Sequence, residues 1–178
     1  IVENIPGGGG VVGTKRALDA APDGYTLVLT GVGHNAVAHG LDPSVKYNSI
    51  TDFIHISQTQ IGPNILVVSP GSPFKTLKDV IDYGRANPGK LDYGYTYAAS
   101  GHMAMELFKV DSQISLLHVP YKGTGQAQVD VLSGQVQLGF MAVPSTVSQI
   151  KAGRLVAIAV TSPQRLSVLP DVPTVGEF

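Results

Sequence analysis

The sequence predicts an α/β fold with a mostly parallel sheet, and three observations carry the prediction. Short apolar segments alternate with helical patterns along the chain from Tyr25 to Thr161, the order that winds strands into a sheet through right-handed crossovers. The helical patterns begin at small or capping residues and stop at Gly or at Asn87-Pro88-Gly89, which are ordinary start and stop signals. Finally, 178 residues with 43% hydrophobic and only 14% charged side chains suffice to bury a core, as one large domain or two small lobes.

Taken in order, Ile1–Ile5 reads as a short strand, and Pro6-Gly7-Gly8-Gly9-Gly10 as a loop opening a helix that carries Val11, Val12, Ala17, Leu18 and Ala21. Pro22-Asp23-Gly24 stops that helix. Tyr25–Thr30 is a nearly continuous apolar run, the kind covered on both faces of a sheet, and Gly31–Asn35 is the turn after it. Phe53–Ile56 and Asn64–Val68 read as two further strands. Thr76 caps a helix whose stripe is Leu77, Val80, Ile81 and Gly84. In Lys90–Val110, Tyr93, Tyr95 and Tyr97 alternate with Asp92, Gly94 and Thr96, a strand signature, and Met103, Leu107 and Val110 then follow at helical spacing with Ser100 as the N-cap. The remainder reads as strand Ser115–Val119, helix Thr124–Leu132, strand Val136–Met141, helix Ser145–Ala152 and strand Leu155–Thr161.

Composition excludes several function classes. A net charge of -1 and the lack of any Lys/Arg cluster leave no electrostatic footprint for nucleic acid or an acidic membrane surface. Without Cys there is no disulfide, thiolate catalysis or Cys-ligated metal. No apolar run approaches the roughly 20 residues that span a bilayer. The opening Ile1-Val2-Glu3-Asn4 reads as a strand already under way, so the sequence is expected to be a fragment.

In parallel sheets ligands gather where strands turn into helices. Four such turns stand out: Gly31 to Asn35, Tyr97 to Gly101, Lys122 to Gly125, and Ala142 to Ser145. Their small and capping residues leave backbone N–H groups accessible, which suits a carboxylate or phosphate. Two enzymatic alternatives compete. Gly8–Gly13 matches G-x-G-x-x-G, yet the next strand ends Leu29-Thr30-Gly31 without the acid that a ribose needs. Ser100 lacks the two flanking glycines of a nucleophile elbow. The histidines show no H-x-x-x-H spacing, so no metal and no cofactor are expected. Packing is the simpler reading for Tyr93 and Tyr95, while Tyr97, at the end of its strand, fits packing and ligand contact equally.

Motifs spread along the whole chain resemble one family. Pro22-Asp23-Gly24-Tyr25-Thr26-Leu27, Ala86-Asn87-Pro88-Gly89-Lys90-Leu91, His118-Val119-Pro120-Tyr121-Lys122-Gly123, Ser133-Gly134-Gln135-Val136 and Leu169-Pro170-Asp171-Val172-Pro173-Thr174 are similar to segments of the Bug-type solute-binding receptors of tripartite tricarboxylate transporters. The resemblance implies a type II periplasmic binding protein: two α/β lobes joined by crossover strands, 1–64 with 160–178 forming an incomplete first lobe and 65–159 the second. It implies a periplasmic, non-enzymatic receptor that takes a small organic carboxylate, a di- or tricarboxylate or an aromatic acid, and delivers it to membrane permease subunits. It also implies that a preceding strand and ligand loop and a C-terminal segment lie outside this sequence. By the same resemblance the ligand contacts are His34 and Asn35 in the first lobe, Tyr97, Ala98, Ala99, Ser100, Gly101 and His102 in the second, with Met141 and Ser145 beside them. Tyr97 makes that second turn bulkier than the family's Ser/Gly-rich one, which favours an aromatic ligand. Met141 stands where many relatives have a polar residue, which argues against an amino acid.

Overall fold

The structure is a computed structural model and describes residues 1–178 throughout. Its frame is a sheet of five strands, β1 (Asn64–Val68), β2 (Leu91–Thr96), β3 (Leu116–Tyr121), β4 (Gly139–Ala142) and β5 (Val156–Val160). β4, β1 and β5 pair side by side, and β2 pairs with β3. Gly94 N–H donates to Leu138 O at 3.0 Å and Leu138 N–H to Asp92 O at 3.2 Å, joining the two sets into the order β3-β2-β4-β1-β5. β2, β3 and the residue leading into β4 run parallel, as expected of βαβ winding. β1 runs against both its neighbours, so the sheet is mixed, with β1, fourth in the order, reversed.

All five residues of β1 are buried, as a continuous apolar run requires when both faces are covered. Its side chains alternate between two cores. Leu66 and Val68 join Leu77, Val80, Tyr93, Met105, Phe108 and Phe140, while Ile65 and Val67 join Ala127, Val131, Met141, Val143, Leu155 and Val160. The first core is roofed by α3 (Leu77–Ala86) and α4 (Ser100–Ser112), the second by α5 (Thr124–Ser133) and α6 (Val143–Lys151). α3 starts in a capping box, Asp79 N–H donating to Thr76 Oγ1 at 3.2 Å and Thr76 N–H to Asp79 Oδ2 at 2.8 Å. α6 begins at Val143, not Ser145, because Pro144 is preorganised for a first helical turn. β4 starts at Gly139, later than the expected Val136.

Residues 1–63 hold α1 (Val11–Leu18), α2 (Ala38–Leu41) and two short helical turns, Gly8–Gly10 and Gly33–Val37, but no strand. The expected strands Ile1–Ile5, Tyr25–Thr30 and Phe53–Ile56 are irregular chain without ladder partners. Tyr25, Leu27, Leu29, Ile54 and Ile56 are exposed. The reason is pairing: a strand needs a neighbouring edge to accept its backbone groups, and residues 1–178 offer these segments none. α1 also ends at Leu18, short of Ala21.

The last residues fold back onto the sheet. Val160 N–H donates to Pro173 O at 2.9 Å, Leu169 and Val172 join the second core, and Val175 packs on the first. The segment 161–178 thus covers β5.

Candidate functional site

A small cleft, partly open to solvent, lies at the carboxyl ends of β2 and β4. Gly94, Tyr95, Thr96, Ala99, Ser100, Gly101 and His102 form one wall, Phe140, Met141 and Ala142 the other, with Asn64, Thr124 and Ala127 completing it. Between β2 and α4 the chain turns sharply: Ala99 N–H donates to Thr96 O at 3.1 Å, and Ala98 takes a left-handed φ of 59° that costs a non-glycine residue energy. Ala99, not Ser100, is the N-cap of α4. Its carbonyl receives the N–H groups of His102 and Met103 at 3.0 and 3.2 Å, which leaves Ser100 and Gly101 N–H without a carbonyl of their own helix. A Cβ on Gly101 would sit 2.1 Å from Phe140 O, so only glycine lets α4 start this close to β4. Thr124, first residue of α5, brings a second helix start to the same space.

No Lys, Arg, Asp or Glu lines the cleft. His102 is the basic group present, and burial lowers its pKa although the Glu106 carboxylate pulls the other way. The Tyr95 ring stacks on the imidazole at 4.4 Å. One helical turn further, Glu106 accepts from Lys109 at 2.9 and 3.0 Å and from the Tyr93 hydroxyl. Burial disfavours the Glu106 carboxylate, but the Tyr93 hydroxyl and the Lys109 ammonium outweigh it and hold its pKa below the ordinary value. Burial, reinforced by Glu106, pushes the Tyr93 hydroxyl well up. His102, Glu106 and His118 have ligand atoms within 4.8 Å of one another, the spacing of a metal site. Lys109 Nζ already stands there as the cation, 2.7 Å from His118 Nε2.

Of the residues singled out in the sequence, Ala99, Ser100, Gly101, His102 and Met141 line this cleft, and His34, Asn35, Tyr97, Ala98 and Ser145 do not. His34 Nε2 accepts from Gly31 N–H at 2.7 Å and Nδ1 stands 3.2 Å from Gly9 O, so both ring nitrogens are spent on backbone and the imidazole ties the Gly8–Gly10 turn to the Gly31 turn. Asn35 donates to Thr30 Oγ1 at 2.6 Å. Ala98 is fully buried, its carbonyl so close to Gly33 that a Cβ there would lie 2.8 Å away. Ser145 turns back to donate to Ala142 O at 2.9 Å. Tyr97 is 36% exposed outside the cleft, and it is Tyr95 that supplies the aromatic wall. Asn64, Tyr95, Thr96 and Thr124 are lining residues beyond that set. Thr96 precedes one marked turn and Thr124 lies in another, a signal on which a wider reading of both turns could have drawn. Asn64 shows no local signal, because a long-range hydrogen bond from Ser100 Oγ to its Oδ1, 3.2 Å, brings it in.

A mixed sheet roofed by helices on both faces, with a cleft at the strand ends, is the architecture of a periplasmic binding protein. Across 99% of its length the chain superposes on the adipate-bound protein of R. palustris with a TM-score of 0.95 at 29% identity. It superposes on MatC from Rhodopseudomonas palustris with bound malate at 0.92 and 27%, and on the periplasmic binding protein BugD at 0.84 and 31%. It covers 59 to 60% of those chains. The chain belongs to the tripartite tricarboxylate transporter receptor family, whose sequence profile matches residues 1–178. It is 34% identical to protein BugT of Bordetella pertussis over 180 aligned residues, all of this chain and 55% of that one. The chain thus spans about half the length of the curated relatives it matches.

Proposed function

We propose that this chain is part of a periplasmic receptor that captures a small organic carboxylate in the cleft between β2 and β4 and passes it to the permease of a tripartite transporter. One observation carries the reading: two helix starts, at Ser100 and Thr124, converge on a cleft that no charged side chain lines. Backbone N–H groups and helix dipoles favour an anion there. Adipate and malate in two solved relatives are ligands of that kind. The two-lobe division, 1–64 with 160–178 and 65–159, enters with one change, 160–178 going with the lobe of the sheet, and the unpaired segments of 1–64 belong to the other lobe. No observation favours the enzymatic alternatives. Ser100 Oγ donates to an amide oxygen instead of meeting a base, and the Gly8–Gly13 loop gives its Gly9 carbonyl to His34 and packs on the Tyr97 turn.

Binding through backbone groups in a sheltered cleft is weakly screened, unlike surface charge pairs. Calorimetric titration of the full natural polypeptide with aliphatic and aromatic carboxylates, from low to moderate salt, is expected to show affinity changing by less than about threefold. A collapse of affinity over that range would transfer the site to surface Lys or Arg.

A further inference from the structure

Resting on the carboxylate reading, we propose that Asn64 is a specificity-determining residue of the cleft: its side-chain N–H donates to the ligand's carboxylate and disfavours the matching carboxamide. Asn64 is only 8% exposed and borders the cleft. Ser100 Oγ, on the first residue of α4, donates to Asn64 Oδ1 at 3.2 Å, which turns Nδ2 away from Ser100. Nδ2 has no protein partner, and unlike Thr96 Oγ1 and His102 Nδ1 it is not closed to solvent. A residue nine-tenths buried thus keeps one donor open, and the space it borders is the cleft. Such a donor stays poorly satisfied until an acceptor reaches it.

The donor is also fixed before a ligand arrives. Asn64 N–H donates to Thr161 Oγ1, and Asn64 O accepts from Thr161 N–H, both at 2.9 Å. On its other side the residue pairs with Ala142 of β4. With the backbone held at both edges and Oδ1 on Ser100, little freedom remains to be lost on binding.

Donor chemistry selects the head group. Ser100 and Gly101 N–H, left without carbonyls of their own helix, and Asn64 Nδ2 offer hydrogens only. A carboxylate meets them with two oxygens that accept and nothing that donates. A carboxamide of the same shape turns an N–H towards one of these donors or leaves a donor unpaired, and either is unfavourable. No charged side chain lines the cleft, so the choice between the two head groups falls to neutral donors.

Hexanoate, benzoate, adipate and malate, each beside the compound in which every carboxylate is a carboxamide, test this by calorimetry on the full natural polypeptide. An acid that binds is expected to lead its amide at least about tenfold, about 1.4 kcal/mol. Asn64→Asp keeps the shape and the acceptor for Ser100 Oγ and turns only the open donor into an acceptor, so it should cut that lead at least about tenfold. Asn64→Ala, which buries no charge, should cut it at least about threefold. A residue that merely braces α4 would, once changed, weaken acid and amide together. A lead that keeps its size in either folded variant therefore overturns the proposal and leaves the carboxylate reading standing. So does an amide that matches its acid in the unaltered polypeptide. No binding by any of the acids overturns both.

Discussion

Two apolar runs of similar composition meet opposite fates in this molecule. Asn64–Val68 becomes an interior strand, buried at every position and paired on both edges. Tyr25–Thr30, which reads at least as strongly as a strand, lies unpaired with Tyr25 92% and Leu29 82% exposed. The difference lies in the partners. β4 and β5 arrive at β1 from more than 70 residues further along the chain, whereas nothing within residues 1–178 pairs with the other run. Strand propensity is a statement about neighbours, with the backbone supplying only permission.

The comparison can be broken experimentally, beginning where the largest effect is expected. Tyr93 is fully buried between β2 and α4, and Tyr93→Ala should cost about 3–5 kcal/mol in urea unfolding, as large aromatic truncations in a core do. Tyr97→Ala, four residues on at a partly exposed position, should cost much less. Equal losses would place Tyr97 in a core.

A smaller contrast separates the two runs themselves. Leu66→Ala should destabilise by about 2–5 kcal/mol, and Leu27→Ala by no more than about 0.5 kcal/mol, since Leu66 is wholly buried and Leu27 is 73% exposed. Measured in the full natural polypeptide, a Leu27→Ala loss matching that of Leu66→Ala would mean that chain outside these residues covers Tyr25–Thr30, which is how the two-lobe proposal would be sharpened.

The smallest effect concerns the segment folded back over β5. Glu177 is held at a pKa of about 2, against an ordinary 4.5, chiefly by its hydrogen bond from Arg165. For an acid whose folded pKa is depressed, the stabilisation is complete above the unfolded value and is lost as pH falls through the folded one. Melting temperature should therefore decline between about pH 4.5 and 2, and Glu177→Gln should flatten that part of the profile. Because the pair is exposed, the change should be slight. An unchanged slope in the variant would assign the acid loss to other carboxylates.

Read alone, the sequence determines the elements whose cause is local. The Thr76 capping box, the Asn87-Pro88-Gly89 stop, the Gly134 cap of α5 and the turn from β2 into α4 follow from side chains within a few residues of one another. That is why the start of α4 and the four marked positions there that line the cleft are legible. Tertiary structure alone decided the rest. It set the reversed direction of β1, the loss of three expected strands, the spending of His34 on backbone and the arrival of Asn64 beside Ser100. These depend on which edge, carbonyl or cavity is brought close by chain tens of residues away, and a hydrogen bond or a strand pair has no free energy to contribute until that second partner is present.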